Sequence, residues 1–421
     1  MRLVYDLFIF LFQFGLRIAA FGGHRKAKQW IAGRKKLFDT VSISLKPGEQ
    51  RVWFHCASLG EFEQGRPLLE QYKRKHPNRK IVLTFFSPSG YEVRKNYSEA
   101  DYIFYLPLDL PGNAERFISL INPVEVFFIK YEYWFHYFEM LGRKKIPVYL
   151  VSAIFRNDQP FFKWYGTFFR KMLQSVNHFF LQDKASAILL DSISIANYTV
   201  TGDTRFDRVS QIAVLAQSNP GVEHFRKERK LFIAGSTWRE DEQLIRKALE
   251  NCRAEIVAGK IGIVIAPHEI TEARIQSIEK EFAAFRTIRY SIIAKNSASD
   301  ADLLILDNIG LLSSVYRHGS MAYVGGGFGK GIHNVLEPAV FAVPVFFGPN
   351  YFKFSEAKEL LEVGGAFSIH TPDELKLSWM TDSADELQMK SASVKAKQYV
   401  SKRTGATNRI LDFLEHQNTN R

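Results

Sequence analysis

The chain has 421 residues, a length that allows two or three domains and excludes a single small module. Its 46% hydrophobic and 24% charged residues are typical of a folded globular protein and exclude a disordered chain. Lys and Arg total 56 against 44 Asp and Glu, so the formal net charge is +12, which predicts an anionic partner: nucleic acid, a phosphorylated substrate or anionic lipid. Two cysteines far apart in apolar surroundings, Cys56 and Cys252, indicate a reducing compartment without a disulfide framework or a cysteine-based zinc site.

The N-terminal segment 1–22 contains an apolar run that is followed by a basic flank. Residues 7–16 read LFIFLFQFGL, between Asp6 and Arg17, which is shorter than the roughly 20 residues needed to span a bilayer. The sequence FGGHRKAKQW that follows lacks a signal-peptide cleavage site. We therefore predict a membrane-associating segment, monotopic or a single N-terminal anchor, whose cations meet anionic headgroups. The alternative is a first helix packed into the domain core.

Apolar runs alternate with amphipathic stretches through the first half of the chain. The runs predicted as strands are 52–55, 81–85, 124–129, 148–151, 178–181 and 199–201. The helical patterns between them include 64–75, 111–120 and 133–142. Continuous apolar strands separated by helices are typical of a parallel sheet covered on both faces. We therefore predict a first Rossmann-like domain over residues 23–207.

The alternation of apolar runs and amphipathic stretches stops at residues 208–228, where Asn, Pro and Gly occur in succession at 219–221. This segment is the predicted linker. A second set of predicted strands then follows at 231–234, 261–266, 303–306, 321–324 and 343–347. We assign residues 229–395 to a second Rossmann-like domain and 396–421 to a C-terminal helix, for which packing back on the first domain is one option. The predicted fold class is α/β, with two doubly wound domains facing across a cleft. Ligands in such sheets bind outside the carboxyl ends of the strands.

Residues 323–349, YVGGGFGKGIHNVLEPAVFAVPVFFGP, contain a glycine-rich loop after a strand. Glycines there let the backbone approach a ligand and point N–H groups at an anion, although neither a dinucleotide fingerprint nor a Walker A pattern can be read. The helix start that follows carries His333, Asn334 and Glu337, and we expect its N-terminus to attract phosphate. Glu337 is placed to accept hydrogen bonds from ribose hydroxyls. The alternative for Glu337 is a first-turn acid favoured by the helix dipole.

Two further loops of the second half follow predicted strands. Ser236 and Thr237 stand at a strand-to-helix turn, where an ordinary N-cap is the alternative to a phosphate contact. His268 lies just beyond the next strand, and its alternative is a purely structural histidine. In the first half, HCASLGEFEQ places Ser58, Gly60 and Glu61 after the first strand.

Glu61 is the candidate catalytic residue of that loop. Gly60 is expected to let the loop turn tightly so that Glu61 faces the cleft, where a carboxylate can act as general base. The alternative for Glu61 is an acid that satisfies the helix dipole, and Glu63 is interpreted as a capping residue of this kind.

Five segments together resemble bacterial 3-deoxy-D-manno-octulosonic acid (Kdo) transferases. They are HCASLGEFEQGRPLLE at 55–70, EYWF at 132–135, VTGDTRFD at 200–207, AGST at 234–237 and the glycine-rich region at 307–357. Their order and spacing match that family, and the similarity extends from the N-terminal segment to the last helix.

The resemblance implies a GT-B glycosyltransferase that transfers Kdo from CMP-Kdo to the lipid A precursor, lipid IVA, at the cytoplasmic face of the bacterial inner membrane. On this basis we predict that the first domain binds the acceptor, that the second binds CMP-Kdo, and that the reaction is inverting and needs neither a metal nor a cofactor, because helix N-termini and cations can stabilise the leaving phosphate. The family's catalytic base corresponds to Glu61. The residues expected to bind substrate are Ser58, Gly60, Glu132, Arg205, Ser236, Thr237, His268, Gly326, Gly327, Lys330, His333, Asn334 and Glu337.

The chain departs from the family pattern at three places. Arg205 stands for the usual lysine, with Asp203 for an asparagine. Pro267 replaces the arginine that often precedes the histidine of its loop, so a phosphate-binding cation must come from elsewhere, with Lys330 and Arg239 as candidates. The segment SAIFR at 152–156 differs from the family's acceptor-side motif.

Two other functions remain as alternatives. One is a GT-B glycosyltransferase with another nucleotide-sugar donor and acceptor. The other is a non-catalytic nucleic-acid-binding protein, which is suggested by the charge alone and lacks a recognisable nucleic-acid-binding signature. We therefore predict no nucleic-acid partner. The oligomeric state is left open.

Overall fold

A computed structural model describes residues 1–293, 300–375, 377–380 and 385–419. The chain forms two units, each with its own seven-stranded parallel sheet. Unit 1 comprises Met1–Arg208 together with Gly405–Arg421, and unit 2 comprises Val209–Thr404.

Unit 1 is built around a doubly wound sheet. Its strands are β1 (Arg51–Cys56), β2 (Lys80–Phe85), β3 (Tyr102–Tyr105), β4 (Pro123–Ile129), β5 (Val148–Ala153), β6 (His178–Leu181) and β7 (Tyr198–Val200). Its helices before the unit boundary are α1 (Arg2–Phe21), α2 (Arg25–Ala32), α3 (Leu37–Ser44), α4 (Leu59–Lys75), α5 (Pro88–Arg94), α6 (Pro111–Ile121), α7 (Phe135–Arg143), α8 (Thr167–Leu173) and α9 (Lys184–Asp191). The next helix, α10 (Thr204–Leu215), begins in unit 1 and ends in unit 2. The strand order is β3-β2-β1-β4-β5-β6-β7. The order therefore reverses between β1 and β4, which places the ligand-binding crevice of such a sheet at the carboxyl ends of these two strands.

Helix α4 lies close against the sheet at this reversal point because Gly65 has no side chain. A Cβ built on Gly65 would come within 2.8 Å of Ile129 Cγ1 at the end of β4. The close approach fixes the position of the first turn of α4, which carries Glu61. The predicted helix 64–75 thus begins earlier, at Leu59.

Helix α1 packs on unit 1 along one side only. Tyr5 donates a 2.5 Å hydrogen bond to buried Asp109, and Asp6 forms a 2.6 Å ion pair with His136. Ile9 is buried beside Trp30 and Leu108. The opposite side of α1 exposes large apolar side chains, namely Leu3, Val4, Leu7, Phe8, Phe10, Leu11, Phe14 and Ile18.

Helix α1 extends through Asp6 and Arg17, so its 20 residues are long and apolar enough to cross a membrane by length and composition alone. This differs from the short run expected from sequence, because a helix continues through single charged residues. The alternative of a buried core helix is wrong, because Ile9 is the one buried residue of α1.

Unit 2 repeats the doubly wound pattern with the order β10-β11-β9-β8-β12-β13-β14. Its strands are β8 (Lys230–Thr237), β9 (Ile261–Pro267), β10 (Thr287–Arg289), β11 (Leu303–Ile305), β12 (Gly319–Val324), β13 (Val345–Phe347) and β14 (Ala366–Ser368). Its helices are α11 (Pro220–Arg226), α12 (Arg239–Glu250), α13 (Arg253–Val257), α14 (Glu272–Glu281), α15 (Tyr290–Ile293), α16 (Leu312–Val315), α17 (Leu336–Ala339), α18 (Ser355–Glu362) and α19 (Glu386–Ser401). The order reverses between β8, which contains Ser236 near its end, and β12, which precedes the glycine-rich loop.

Each strand predicted from sequence overlaps one of these strands, which confirms the α/β architecture. The segment 208–228, expected as a linker, contains the end of α10 and the whole of α11. The expected C-terminal segment 396–421 contains the end of α19, in unit 2, and a last helix, α20 (Ala406–Thr419).

Helix α20 belongs to unit 1 and is attached there by Asp207. The Asp207 carboxylate accepts hydrogen bonds from the amides of Gly405 (2.5 Å) and Thr407 (2.7 Å) and from the Thr407 hydroxyl at 2.7 Å. Arg409 donates to the carbonyl of Thr201 at 2.9 Å. The carboxylate thus caps a helix that begins about two hundred residues later.

We expect Gly65→Ala to destabilise the protein by about 1–3 kcal/mol, because the added methyl group must displace Ile129. The matched control is Gly60→Ala on the same helix, whose Cβ meets only Ser58 Oγ at 3.8 Å. That control is expected to be neutral, or more stable by up to about 1 kcal/mol. Urea unfolding of the full chain measures both changes. Equal stabilities of the two variants would contradict the close contact of α4 with β4.

Candidate active site

The carboxyl ends of β1 and β4 bring together two carboxylates, Glu61 and Glu132. The strands are paired neighbours, with His55 opposite Phe128. Burial raises the pKa of the Cys56 thiol, and the negative charges of Glu61 and Glu132 raise it further. Both carboxylates therefore lie near the end of β1, as the sequence predicted for Glu61.

Glu61 occupies the first turn of α4 and not a loop. Ser58 is the N-cap residue, and its hydroxyl donates a hydrogen bond to the Glu61 carboxylate. Among the described residues, Ser58 is the one hydrogen-bonding partner of that carboxylate, which has no ion pair. The expected tight turn at Gly60 is wrong, because Gly60 is helical and is absent from the glycines with positive φ.

The neighbouring carboxylate, that of Glu63, makes structural contacts with arginines. It forms ion pairs with Arg94 (2.6 Å), Arg208 (3.0 Å) and Arg66 (3.7 Å). Glu63 therefore joins α4 to α5 and α10, which is more than the capping role expected from sequence. Arg94 and Arg208 neutralise it, so the two acids of the motif differ sharply in their surroundings.

Arg205 is paired within its own segment. Its guanidinium contacts Asp203 at 2.7 Å, and Asp203 also accepts from Gln64 of α4 at 2.8 Å. Burial opposes the ionisation of Asp203, but the charge and hydrogen bonds of Arg205 outweigh it and lower the Asp203 pKa. The expected substrate cation is thus half-buried in an ion pair with Asp203.

Glu132 is oriented by a hydrogen-bonded chain that the sequence did not predict. His55, fully buried, contacts the Glu132 carboxylate through Nε2 at 3.3 Å and Thr84 Oγ1 through Nδ1 at 2.8 Å. Thr84 Oγ1 accepts from the Trp53 indole at 2.7 Å. His55 thus links Thr84 to the Glu132 carboxylate through its two ring nitrogens. Trp134 adds a second donor to Glu132 at 2.8 Å.

In unit 2, Ser236 lies at an irregularity of β8. The pairing of β8 with β9 shifts between Gly235 and Thr237, and Ser236 has a φ of 54°. A positive φ is uncommon for serine and is typical of bulges beside binding sites. Thr237, by contrast, is buried, and its hydroxyl donates to Glu242 at 2.7 Å. Of the two predicted phosphate contacts, Ser236 is thus the half-exposed one.

The glycine-rich loop uses several of its N–H groups within unit 2, so the expected anion cradle is not formed as predicted. The amide of Gly326 donates to Asp241 at 2.9 Å, and that of Gly325 donates to the carbonyl of Gly235 at 2.9 Å. Gly327 packs against Gly348, where a Cβ would lie 2.5 Å from the Gly348 nitrogen. Gly326 and Gly327 are therefore required for close backbone packing.

Asp241 connects this loop to the start of α12. Besides the Gly326 amide, its carboxylate accepts from the Tyr323 hydroxyl at 2.7 Å and the Trp238 amide at 2.8 Å. Burial raises the pKa of Asp241, although these hydrogen bonds favour its charged form. The loops after β8 and β12 thus share one carboxylate.

Three rings form a cluster at the carboxyl end of the unit 2 sheet, which we call the ring cluster: Trp238, His268 and His333. His268 stacks between the other two, with centroid distances of 4.7 Å to Trp238 and 4.4 Å to His333. The Trp238 indole donates to His333 Nε2 at 3.1 Å. The sequence predicted both histidines and missed Trp238, whose position directly after Ser236 and Thr237 could have indicated it.

Asn334 and Glu337 lie together, as expected from their spacing. The Asn334 amide donates to Glu337 at 3.1 Å, and its oxygen accepts from the Leu336 amide at 3.1 Å. The helix α17 that follows has only four residues, and the phosphate expected at its N-terminus stays a prediction. Lys330 is exposed, as a cation available to a ligand would be. Within the described part of the chain, no three His, Cys, Asp or Glu residues are grouped as a metal site requires.

The ring cluster predicts that the stability of the folded protein depends on pH. Burial lowers the pKa of His333 from 6.5 to about 4, and the neighbouring His268 contributes to the lowering. Between these pH values the unfolded chain binds a proton that folded His333 does not, so stability is lost as the pH falls from 6.5 towards 4. We expect His333→Gln to remove this part of the acid sensitivity.

Thermal unfolding between pH 7 and pH 4.5 measures this effect. The control is His370→Gln at an exposed histidine of the same unit, which is expected to follow the unmodified chain. A parallel fall of the unfolding temperature in all three proteins would contradict the assignment to His333.

Comparison with known proteins relates this chain to one family. Residues 30–208 match the family model described as 3-deoxy-D-manno-octulosonic-acid transferase (kdotransferase). The chain is 27% identical to the 3-deoxy-D-manno-octulosonic acid transferase of Aquifex aeolicus, over 84% of this chain and 92% of that protein. It is 26% identical to the enzyme of the same name from Haemophilus influenzae, over 92% of this chain and 91% of that protein.

Among solved structures, UDP-GlcNAc 2-epimerase from Neisseria meningitidis shares the fold. Its TM-score is 0.61 at 14% identity, over 87% of this chain and 100% of the epimerase chain. The two doubly wound units confirm the α/β GT-B fold. The chain is therefore similar to 3-deoxy-D-manno-octulosonic acid transferases over most of its length, which supports a glycosyltransferase activity.

Proposed function

We propose that the protein transfers Kdo from CMP-Kdo to the lipid A precursor lipid IVA, with inversion and without a metal, in lipopolysaccharide biosynthesis. One observation supports this most directly: Glu61, at the reversal point of the unit 1 sheet, is a carboxylate without an ion pair among the described residues. Its neighbour Glu63 is neutralised by arginines. A base must keep an accessible lone pair, which an ion-paired carboxylate does not offer.

In the proposed reaction, unit 1 binds the acceptor. Glu61 removes the proton from the acceptor hydroxyl, and the oxygen attacks the anomeric carbon of Kdo while the bond to the CMP phosphate breaks. The proton then resides on Glu61, and CMP leaves with the electron pair of the broken bond. Ser58 hydrogen-bonds the Glu61 carboxylate and so orients it. Glu132, held by His55 and Trp134, positions a second hydroxyl of the acceptor.

Unit 2 binds the donor in this proposal. Glu337, oriented by Asn334, accepts from the two ribose hydroxyls of the cytidine. Neutral His333 uses Nε2 to accept from Trp238, which leaves the N–H of Nδ1 for an anionic oxygen of CMP-Kdo. Ser236 and Lys330 lie on the same edge and add a hydroxyl and a charge for the phosphate. Such donors stabilise a leaving phosphate without a divalent ion.

We further propose that α1 holds the protein at the cytoplasmic face of the bacterial inner membrane. Its outward side is apolar. Arg17 near its end is exposed, and so are the cations that follow the helix, namely Arg25, Lys26, Lys28, Lys35 and Lys36. Each cation near an anionic surface contributes about 1 kcal/mol. The contacts of Tyr5 and Asp6 with unit 1 support a monotopic arrangement, in which the helix lies along the membrane.

The strongest alternative is a GT-B enzyme that uses another nucleotide sugar, such as a UDP-sugar. A ligand present at about 100 times its dissociation constant stabilises the folded state by about 2.7 kcal/mol. We therefore expect millimolar CMP to raise the thermal unfolding temperature more than UDP does. A larger shift with UDP would favour the alternative donor class.

We expect Glu61→Gln to lower kcat by about 10²- to 10⁴-fold, because the amide cannot accept the proton. The assay is Kdo transfer from CMP-Kdo to a tetra-acylated lipid A precursor, with and without EDTA. The matched control is Glu63→Gln, which is expected to lose stability through its arginine contacts while it retains kcat. Unchanged turnover of Glu61→Gln would remove Glu61 as the base, and loss of activity in EDTA would contradict a metal-independent reaction.

A further inference from the structure

A cavity of about 410 Å³ lies in unit 1 beside Glu132. Tyr131 and Tyr133, which flank Glu132 in the sequence, both line it, together with Phe161, Phe169 and Met172. The volume falls in the range of small-molecule sites, about 300–1,000 Å³. Its walls are mainly aromatic and aliphatic, so it suits an apolar group of a ligand whose polar part reaches the neighbouring carboxylates.

One wall of the cavity belongs to the apolar helix α1. Tyr5 lines the cavity, and its ring packs 5.8 Å from Phe135 and 6.2 Å from Phe168, measured between centroids. The same helix exposes its apolar side outward. The cavity thus lies between the proposed reacting edge and the helix proposed to contact lipid.

One polar group of the cavity lining lacks a partner. The Tyr133 hydroxyl is buried without a hydrogen bond among the described residues, a loss of about 1–3 kcal/mol that a ligand oxygen can recover. Arg156, which is exposed at the rim, donates to the Tyr131 hydroxyl at 3.3 Å. The other lining residues with polar side-chain groups are Asp158, Gln159 and Tyr5, whose hydroxyl donates to Asp109.

We propose that this cavity holds one acyl chain of the acceptor glycolipid. The acyl carbonyl oxygen accepts a hydrogen bond from the Tyr133 hydroxyl, and the Arg156 guanidinium faces an anionic group of the headgroup. The inference rests on the proposed function only in taking the acceptor to be acylated. It assigns acceptor selection by acyl chain to Tyr133, Phe169 and their neighbours.

Filling the cavity tests the assignment. The variants are Phe169→Trp and Gln159→Phe, two independent changes at half-buried lining positions. The matched control is Phe162→Trp, which packs on Phe155 but does not line the cavity. Two readouts are used: binding of dodecyl phosphate to the full chain by calorimetry, below its micelle concentration, and KM for the acceptor in the transfer assay.

We expect both filling variants to weaken dodecyl phosphate binding and to raise KM for a tetra-acylated acceptor by about tenfold, the effect of excluding about two methylene groups. KM for the deacylated disaccharide bisphosphate is expected to stay unchanged, as is kcat for both acceptors. Equal KM changes for the two acceptors, equal effects in Phe162→Trp, or unchanged dodecyl phosphate binding would each overturn the proposal.

The binding readout separates this proposal from the proposed function. If the unmodified chain transfers no Kdo but the filling variants still weaken dodecyl phosphate binding, the proposed reaction is wrong and the proposed acyl-chain cavity is supported. If transfer occurs and filling affects neither readout, the reaction stands and the proposed acyl-chain cavity is wrong.

Tyr133→Phe gives a second test that a merely structural role would not pass. Removing a buried hydroxyl without a partner is expected to make the free protein more stable, which thermal unfolding measures. The same change is expected to raise KM for the tetra-acylated acceptor, because the carbonyl loses its donor, and to leave KM for the deacylated acceptor unchanged. A rise in stability with no change in KM would overturn the role of the Tyr133 hydroxyl.

Discussion

The close packing of α4 on β4 is the constraint on which the unit 1 site depends. Parallel strands leave their functional residues at one edge of the sheet, but the helix that follows β1 must also lie near enough to that edge to present Glu61 there. Gly65 permits this, because any side chain would collide with Ile129. A glycine in the middle of a helix costs conformational entropy, and here that cost is offset by the position it gives to the first turn.

Glycines also support the candidate site of unit 2, but they do so by letting backbone segments pack together. Its glycines do not cradle a ligand with free amides; they let backbone segments from β8, β12 and the residues after β13 lie against one another. Asp241 then joins Trp238, Tyr323 and Gly326 through one buried carboxylate. The rings of Trp238, His268 and His333 are presented above this packed base. Rigid backbone contacts therefore support the polar groups, as a preorganised site requires.

The sequence predicted the central strands well because a strand buried on both faces is a continuous apolar run. It missed β3, β10 and β14, which are edge strands of only three or four residues. It placed Glu61 at a strand end. It could not identify the hydrogen bonds that Trp53 and His55 make with Thr84, because those residues meet only through the pairing of β1 with β2. It likewise assigned free amides to a loop whose acceptor, Asp241, is 85 positions away from Gly326.

The capping of α20 by Asp207 has a consequence for how the protein is made. Unit 2 is inserted between Arg208 and Gly405, so the ribosome delivers the whole of unit 2 before it delivers the last helix of unit 1. Domains generally fold during synthesis in the order in which they emerge. Here the unit that emerges first is completed last, and its exposed apolar helix α1 is available to lipid while the remainder of the chain is still being translated.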